Sequence, residues 1–189
     1  DGPVFLAGDA VHQHGPAGGF GMNTGLGAAV DLGWKLAAML DGWGGPGLAD
    51  SYRIERRPVA RRNVREATAN TLQAYDEELV KAVADATPEG QDARRRIGEA
   101  IIRDRSQTFI SDGIALGYVY DNSPIVWSDG SKPPPETVMR YTPTSRPGSR
   151  APHGWLGEGK STIDRFGRGF VLLRLGEAPE DAAGLIQAA

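Results

Sequence analysis

The feature that most constrains the fold lies at residues 4–40. A short apolar run, Val4-Phe5-Leu6-Ala7, ends on Gly8-Asp9, and a loop with Gly15, Gly18, Gly19 and Gly21 follows. From Met22 the pattern turns helical, with Met22, Leu26, Ala29, Val30, Gly33, Leu36, Ala37 and Leu40 on one stripe. This order predicts a buried strand over Pro3–Ala7, a carboxylate at its end, a glycine loop, and a helix start. A helix start offers unpaired N–H groups and the positive end of a dipole. The 26 glycines among 189 residues are twice the usual share of about 7%, and no collagen-like triplet repeats them. They therefore serve turns and close backbone approach.

Further along, Asp50 or Ser51 is expected to cap a helix that Pro58 interrupts or restarts, with helical pattern continuing to about Asp85. Thr87-Pro88-Glu89-Gly90 breaks the pattern. A third helix is predicted beyond it, with Ile97, Ile101 and Ile102 inward and Arg94-Arg95-Arg96 on a solvated face. Asp31 and Lys35 form an i,i+4 pair away from the apolar stripe, and Glu55-Arg56-Arg57 reads as an ion-paired packing element. Tyr118-Val119-Tyr120 and Ile125-Val126-Trp127 flank Asp121-Asn122-Ser123-Pro124 as an expected hairpin, with both tyrosines as hairpin and core residues. Ser131 to Arg150 reads as a linker or wrapping segment, and Gly169 to Leu175 as a strand.

Composition narrows the function classes. A net charge of −3 argues against a nucleic-acid-binding domain. No apolar run approaches the roughly 18 residues of a membrane span. Without cysteine there is no disulfide framework, zinc–thiolate site or thiol nucleophile.

Three readings of the loop compete. A phosphate loop fails because no Gly-Lys-Ser/Thr follows the glycines. A metal site would use Asp9, His12 and His14, as in a metal-dependent hydrolase. The third is a flavin or similar cofactor whose polyol meets Asp9 and whose ring meets the helix start. In the bland reading Asp9 is a strand-end cap, His12 and His14 bond within the loop, and the chain is a non-catalytic interaction module.

At this point the residues become specific. Gly8-Asp9-Ala10-Val11-His12, Pro16, Gly19, Gly21 and Asn23, followed by Thr24-Gly25-Leu26-Gly27-Ala28-Ala29-Val30-Asp31-Leu32-Gly33-Trp34-Lys35-Leu36, strongly resemble the second flavin-binding motif of the FAD-dependent aromatic hydroxylases, of the para-hydroxybenzoate hydroxylase and phenol hydroxylase type. Asp50-Ser51-Tyr52 with Glu55-Arg56-Arg57-Pro58-Val59-Ala60 resembles the same family. Gly117-Tyr118-Val119-Tyr120 with Ser123-Pro124-Ile125-Val126, and Pro147-Gly148 with Arg150-Ala151-Pro152-His153, resemble the subgroup carrying a thioredoxin-like C-terminal domain.

The resemblance implies a fold of the α/β class, α+β and mostly helical in this stretch: the C-terminal part of an FAD-binding Rossmann-like hydroxylase fold. Residues 1–130 would belong to the hydroxylase domain, 131–150 to a linker and 151–189 to the start of a thioredoxin-like domain. It implies that Asp9 binds the ribityl chain of FAD, Pro16 lies beside the isoalloxazine, and Gly19, Gly21, Met22 and Asn23 shape the helix start facing N1 and the C2 carbonyl. It implies hydroxylation of a phenolic or polyketide ring with O2 and NAD(P)H through a flavin C4a-hydroperoxide, in the cytoplasm, with no membrane or nucleic-acid partner. The N-terminal strand–turn–helix fingerprint of the family, Gly-x-Gly-x-x-Gly after a strand, is absent: the same spacing at Gly42–Gly47 follows a helical stretch, in a turn-rich connector. The expectation is therefore of a stretch of a larger hydroxylase, inactive alone and weak in FAD binding. Its bare FAD-facing helix would invite homo-oligomerisation. No catalytic acid or base is assigned.

Overall fold

The computed structural model describes residues 4–72 and 74–173. They form two compact units, residues 1–150 and 151–189 by chain range. The first is helical. Helix α1 runs Phe20–Leu40, α2 Leu48–Thr71, α3 Glu77–Ala82, α4 Pro88–Phe109 and α5 Asp112–Leu116. Helix α1 packs along α2, α3 along α4, and α4 also meets α2. In the second unit β1 (Trp155–Gly157) pairs antiparallel with β2 (Lys160–Ser161), Trp155 opposite Ser161.

Helix α1 begins two residues before Met22, and its buried face is not the apolar stripe. Phe20, Thr24, Ala28, Asp31, Lys35 and Ala38 are buried. Met22 is 73% exposed and Val30 71%, and Leu26 and Leu40 are exposed too. The reason is chemical. Lys35 donates to Asp31 at 2.8 Å and to Glu55 of α2, and Ser123 Oγ donates to Glu55 from the other side. Charges that satisfy one another can be buried together, so the polar face turns inward. Burial pushes the Asp31 carboxyl up, and Lys35 pulls it back.

The α1–α2 interface continues in polar contacts. Arg56 Nη1 donates to the Tyr120 hydroxyl at 2.9 Å, and its guanidinium lies over the Tyr118 ring. Burial pushes the Tyr120 phenol up. The guanidinium lies close against Gly27 of α1: a Cβ there would stand 2.7 Å from Arg56 Nη2, so the Arg56 side chain would have to shift. The ion-paired reading holds for Glu55, Arg56 instead bonds tyrosine and backbone, and Arg57 is exposed. A small apolar cluster of Phe20, Ala67 and Ile114, with Val138 against it, closes the near end.

Several expectations are corrected. Residues 4–7 pair with no strand among the described residues, and Val4 is 74% exposed. An apolar run becomes a strand only when a neighbour takes its N–H and C=O groups. The expected hairpin is a turn with Asn122 at φ 61°, and Tyr120 N donates to Gly148 O instead of crossing to 125–127. Helix α2 continues through Pro58, which lies on its exposed side, and it starts after Gly47 with no side-chain cap from Asp50 or Ser51. The Thr87 segment is a cap: its Oγ1 accepts from Gly90 N, with Pro88 at the first helical position. Ile101 and Ile102 are exposed. Residues 169–173 form no strand, and Arg174 and Leu175 lie outside the described residues. Between 131 and 150 the chain forms neither helix nor strand, and Arg146 ties it down by bonding Ser131 O, Pro147 O and Asp121.

Candidate flavin-facing site

The site is the junction of three pieces: a 3-10 turn at Gly8–Ala10, the glycine loop, and the first turn of α1. Gly8 O accepts from Val11 N and His12 N, which folds the chain back after the extended segment. The turn lies against the helix, since a Cβ on Gly25 would stand 3.7 Å from Gly8 Cα. Farther back, Tyr52 Oη donates to Leu6 O at 2.7 Å and ties the extended segment to α2.

Gly19 is the N-cap residue, in the left-handed region at φ 66°. Residues with a Cβ adopt that conformation at a cost of roughly 1–2 kcal/mol. No side chain caps this end, so the first-turn N–H groups lack a side-chain acceptor among the described residues. Phe20 points down into the apolar cluster and fixes the rotation of the turn. Gly21, Met22 and Asn23 are thereby carried round toward the other side. Thr24 is the second anchor. Its hydroxyl donates to Phe20 O at 2.7 Å and accepts from Asn63 Nδ2 at 2.8 Å, while its carbonyl takes a long bond, 3.4 Å, from Arg56.

The six expected cofactor residues fall as follows. Asp9 is exposed in the turn and makes no side-chain hydrogen bond among the described residues. Pro16 is exposed, and its carbonyl accepts from Gly19 N at 3.2 Å. Gly19 caps the helix; Gly21 is half-buried against His14, whose Cβ would lie in ordinary contact, 3.5 Å, with an added Cβ. Met22 is exposed, and Asn23 is exposed with its Nδ2 folded back onto Gly19 O at 2.9 Å. One carboxylate, two loop residues and an open helix start thus lie along a single short stretch.

The histidines behave differently from the loop bonding expected of them. His12 and His14 meet edge to face, 5.0 Å between ring centres, and all four ring nitrogens lack a partner among the described residues. Burial lowers the His14 pKa, the neighbouring His12 lowers it further, and Asp9 opposes both. No group of three His, Cys, Asp or Glu side chains among the described residues could hold a metal ion, which removes the support for the Asp9/His12/His14 metal reading. A cavity of about 920 Å³ opens elsewhere, along α2, and touches the loop only at Val11, His12 and Gln13. Reading the sequence named Thr24 and Tyr120 without their partners and passed over Asn63, because no periodic pattern marks a polar residue whose partner is on another element.

Over residues 1–67 the sequence matches the FAD binding domain family. The FAD-dependent monooxygenase opdD of Penicillium oxalicum is 40% identical over 93% of this chain. The chain is similar to FAD-dependent monooxygenases, the phenol 2-monooxygenase of a Pseudomonas species among them. A putative polyketide hydroxylase of Streptomyces halstedii is 39% identical over 91% of this chain. Among solved structures, the rebeccamycin biosynthetic enzyme RebC with reduced flavin matches 99% of it at 45% identity, with a TM-score of 0.81. The chain spans 34%, 28% and 34% of the lengths of these three proteins. No helix among the described residues is long and apolar enough to cross a membrane.

Proposed function

We propose that this chain supplies the flavin-facing loop and helix of an FAD-dependent monooxygenase that hydroxylates a phenolic or polyketide aromatic ring with O2 and NAD(P)H. The observation that carries the proposal is the start of α1 after a left-handed Gly19, without a side-chain cap, on a helix whose Gly25 meets the Gly8–Ala10 turn that carries the exposed Asp9. The fit to FAD is chemical. A helix start accommodates an electron-rich ring edge, and a free carboxylate accepts from the hydroxyls of a polyol. A relative solved with reduced flavin and a polyketide hydroxylase among the relatives support the same cofactor and substrate class.

Bound FAD supplies the hydride acceptor and the oxygen activation. The chain's own residues bind and orient. Asp9 would hold ribityl hydroxyls, Pro16 would lie beside the ring, and Gly19 and Gly21 would let it approach the backbone. The N–H groups at Met22 and Asn23 would face its N1 and C2 carbonyl, where reduced flavin carries negative charge. Phe20, Thr24 and Asn63 hold those groups in one direction. The α/β hydroxylase domain over 1–130, the linker over 131–150 and a thioredoxin-like start over 151–189 belong to the same proposal.

The test is a flavin-fluorescence titration of the protein and of Asp9→Ala. A charge-assisted hydrogen bond is worth about 1.5–3 kcal/mol, so the substitution should weaken FAD binding by roughly 10- to 150-fold. Unchanged affinity would remove Asp9 from the site.

A further inference from the structure

The glycine loop closes on itself through two side chains that the flavin reading does not use. His14 and Gly21 mark its ends: a Cβ on Gly21 would stand 3.5 Å from His14 Cβ and 3.8 Å from Cγ and Nδ1 of its ring. Between them the backbone lies close on its surroundings. A Cβ on Gly15 would stand 2.6 Å from Thr71 Oγ1, in the last turn of α2, and one on Gly18, at φ 95°, would stand 2.7 Å from the Phe20 ring. Gly19 N donates to Pro16 O within the loop. Against His14 stands His12, 8% exposed, with ring centres 5.0 Å apart and planes at 83°. All four ring nitrogens are buried with no hydrogen-bond partner among the described residues, an uncommon state for buried polar atoms. An uncharged imidazole there leaves one donor and one acceptor unmet. An imidazolium leaves two donors and a full charge unmet, which is far costlier.

We propose that His14 is a positioning residue, a latch that seats residues 15–19 on the start of α1 while its ring is uncharged and releases them when the ring gains a proton. The charged and titratable groups acting on it are His12 from the same loop and Asp9 from the 3-10 turn. The first turn of α1, Phe20 to Asn23, brings no charge, and neither do Ala67 and Thr71 of α2 under Gly15. Burial and then His12 hold the His14 pKa below the ordinary 6.5, against Asp9 and the His12 backbone. A released loop returns the ring to the ordinary value. As pH falls, the released form therefore takes up its proton first. Seating is complete well above 6.5 and weakens from there down to the lower seated value, by up to about tenfold per pH unit for one proton. The latch stands by itself. Its consequence for FAD rests on the flavin-facing reading, since Pro16 and Gly19 lie in this loop.

Amide hydrogen exchange of the protein without FAD, read by mass spectrometry between about pH 8 and pH 5 and corrected for intrinsic exchange rates, tests it. Protection over residues 15–21 should be constant above about pH 7.5 and fall by up to about tenfold per unit at lower pH, while residues 59–67 of α2 keep theirs. His14→Phe keeps a ring against Gly21 and cannot titrate, so its loop should stay protected across the range. His14→Ala should leave the loop unprotected at both ends of the range. Protection independent of pH in the parent, the parent's pH profile persisting in His14→Phe, or a loss shared equally by α2 would overturn the proposal. Fluorescence titration with FAD at the same pH values reads the flavin assignment separately. Affinity should fall together with loop protection, and an affinity indifferent to a loop seen to open would remove the loop from the flavin site while leaving the latch in place.

Discussion

Replacing Lys35 by methionine probes the buried charge cluster with little change of volume. The ammonium is 1% exposed and bridges two carboxylates, Asp31 on its own helix and Glu55 on α2. Breaking a buried pair by removing one partner costs about 3–5 kcal/mol, because the remaining charge stays in a poor solvent. Here two like charges remain. At a urea dependence of about 1–3 kcal/mol per molar, the midpoint should fall by more than about 1 M at pH 7. The pH dependence follows from Asp31. Its folded-state pKa already lies above the ordinary 3.8, because burial favours the neutral acid. The folded form therefore binds a proton that the unfolded form has released. That contribution is absent below the unfolded value, erodes stability as pH rises through the interval, and is complete above the folded value. Losing Lys35 raises the folded value further and widens the interval upward. The penalty in Lys35→Met should thus shrink between pH 7 and pH 5. Urea unfolding followed by tryptophan fluorescence reads it directly, because Trp34 lies 5.5 Å from the ammonium. A loss below about 1 kcal/mol at pH 7, or a loss independent of pH, would refute the account of a mutually satisfied cluster.

Two further substitutions test the same interface. Gly27→Ala should force Arg56 aside and cost about 1–3 kcal/mol by overpacking, measured as a fall in unfolding midpoint. Asn63→Leu should leave the buried Thr24 hydroxyl with one partner fewer, cost about 1–3 kcal/mol, and be checked by the same melt. A midpoint within error of the parent in either case would show that the contact carries no load.

What the sequence reveals depends on whether the relevant physics is local. The glycine loop, the carboxylate and the start of α1 are readable because backbone geometry and helix-end chemistry are encoded within a few residues. The α1 burial face is not. Counting apolar positions locates greasy surface, and here Asp31 and Lys35 go inward because Glu55, twenty residues later, completes them. The same limit explains Arg56, whose guanidinium lies close against Gly27 and bonds the hydroxyl of Tyr120. Val4–Ala7 and the 118–127 segment have strand composition, yet composition supplies no neighbour to pair with.

The polar seam between α1 and α2 has a consequence for how this protein can change. Apolar interfaces drift: a methyl more or less is absorbed by a small slide or twist. Hydrogen bonds have fixed lengths and directions, so the Lys35–Glu55, Arg56–Thr24 and Asn63–Thr24 contacts act as keys that admit one rotational setting of α1. The aim of the helix start is set by groups up to several turns away. Substitutions at the seam therefore cost least when they come in matched sets. The outward face, free of such keys, can vary residue by residue without turning the helix.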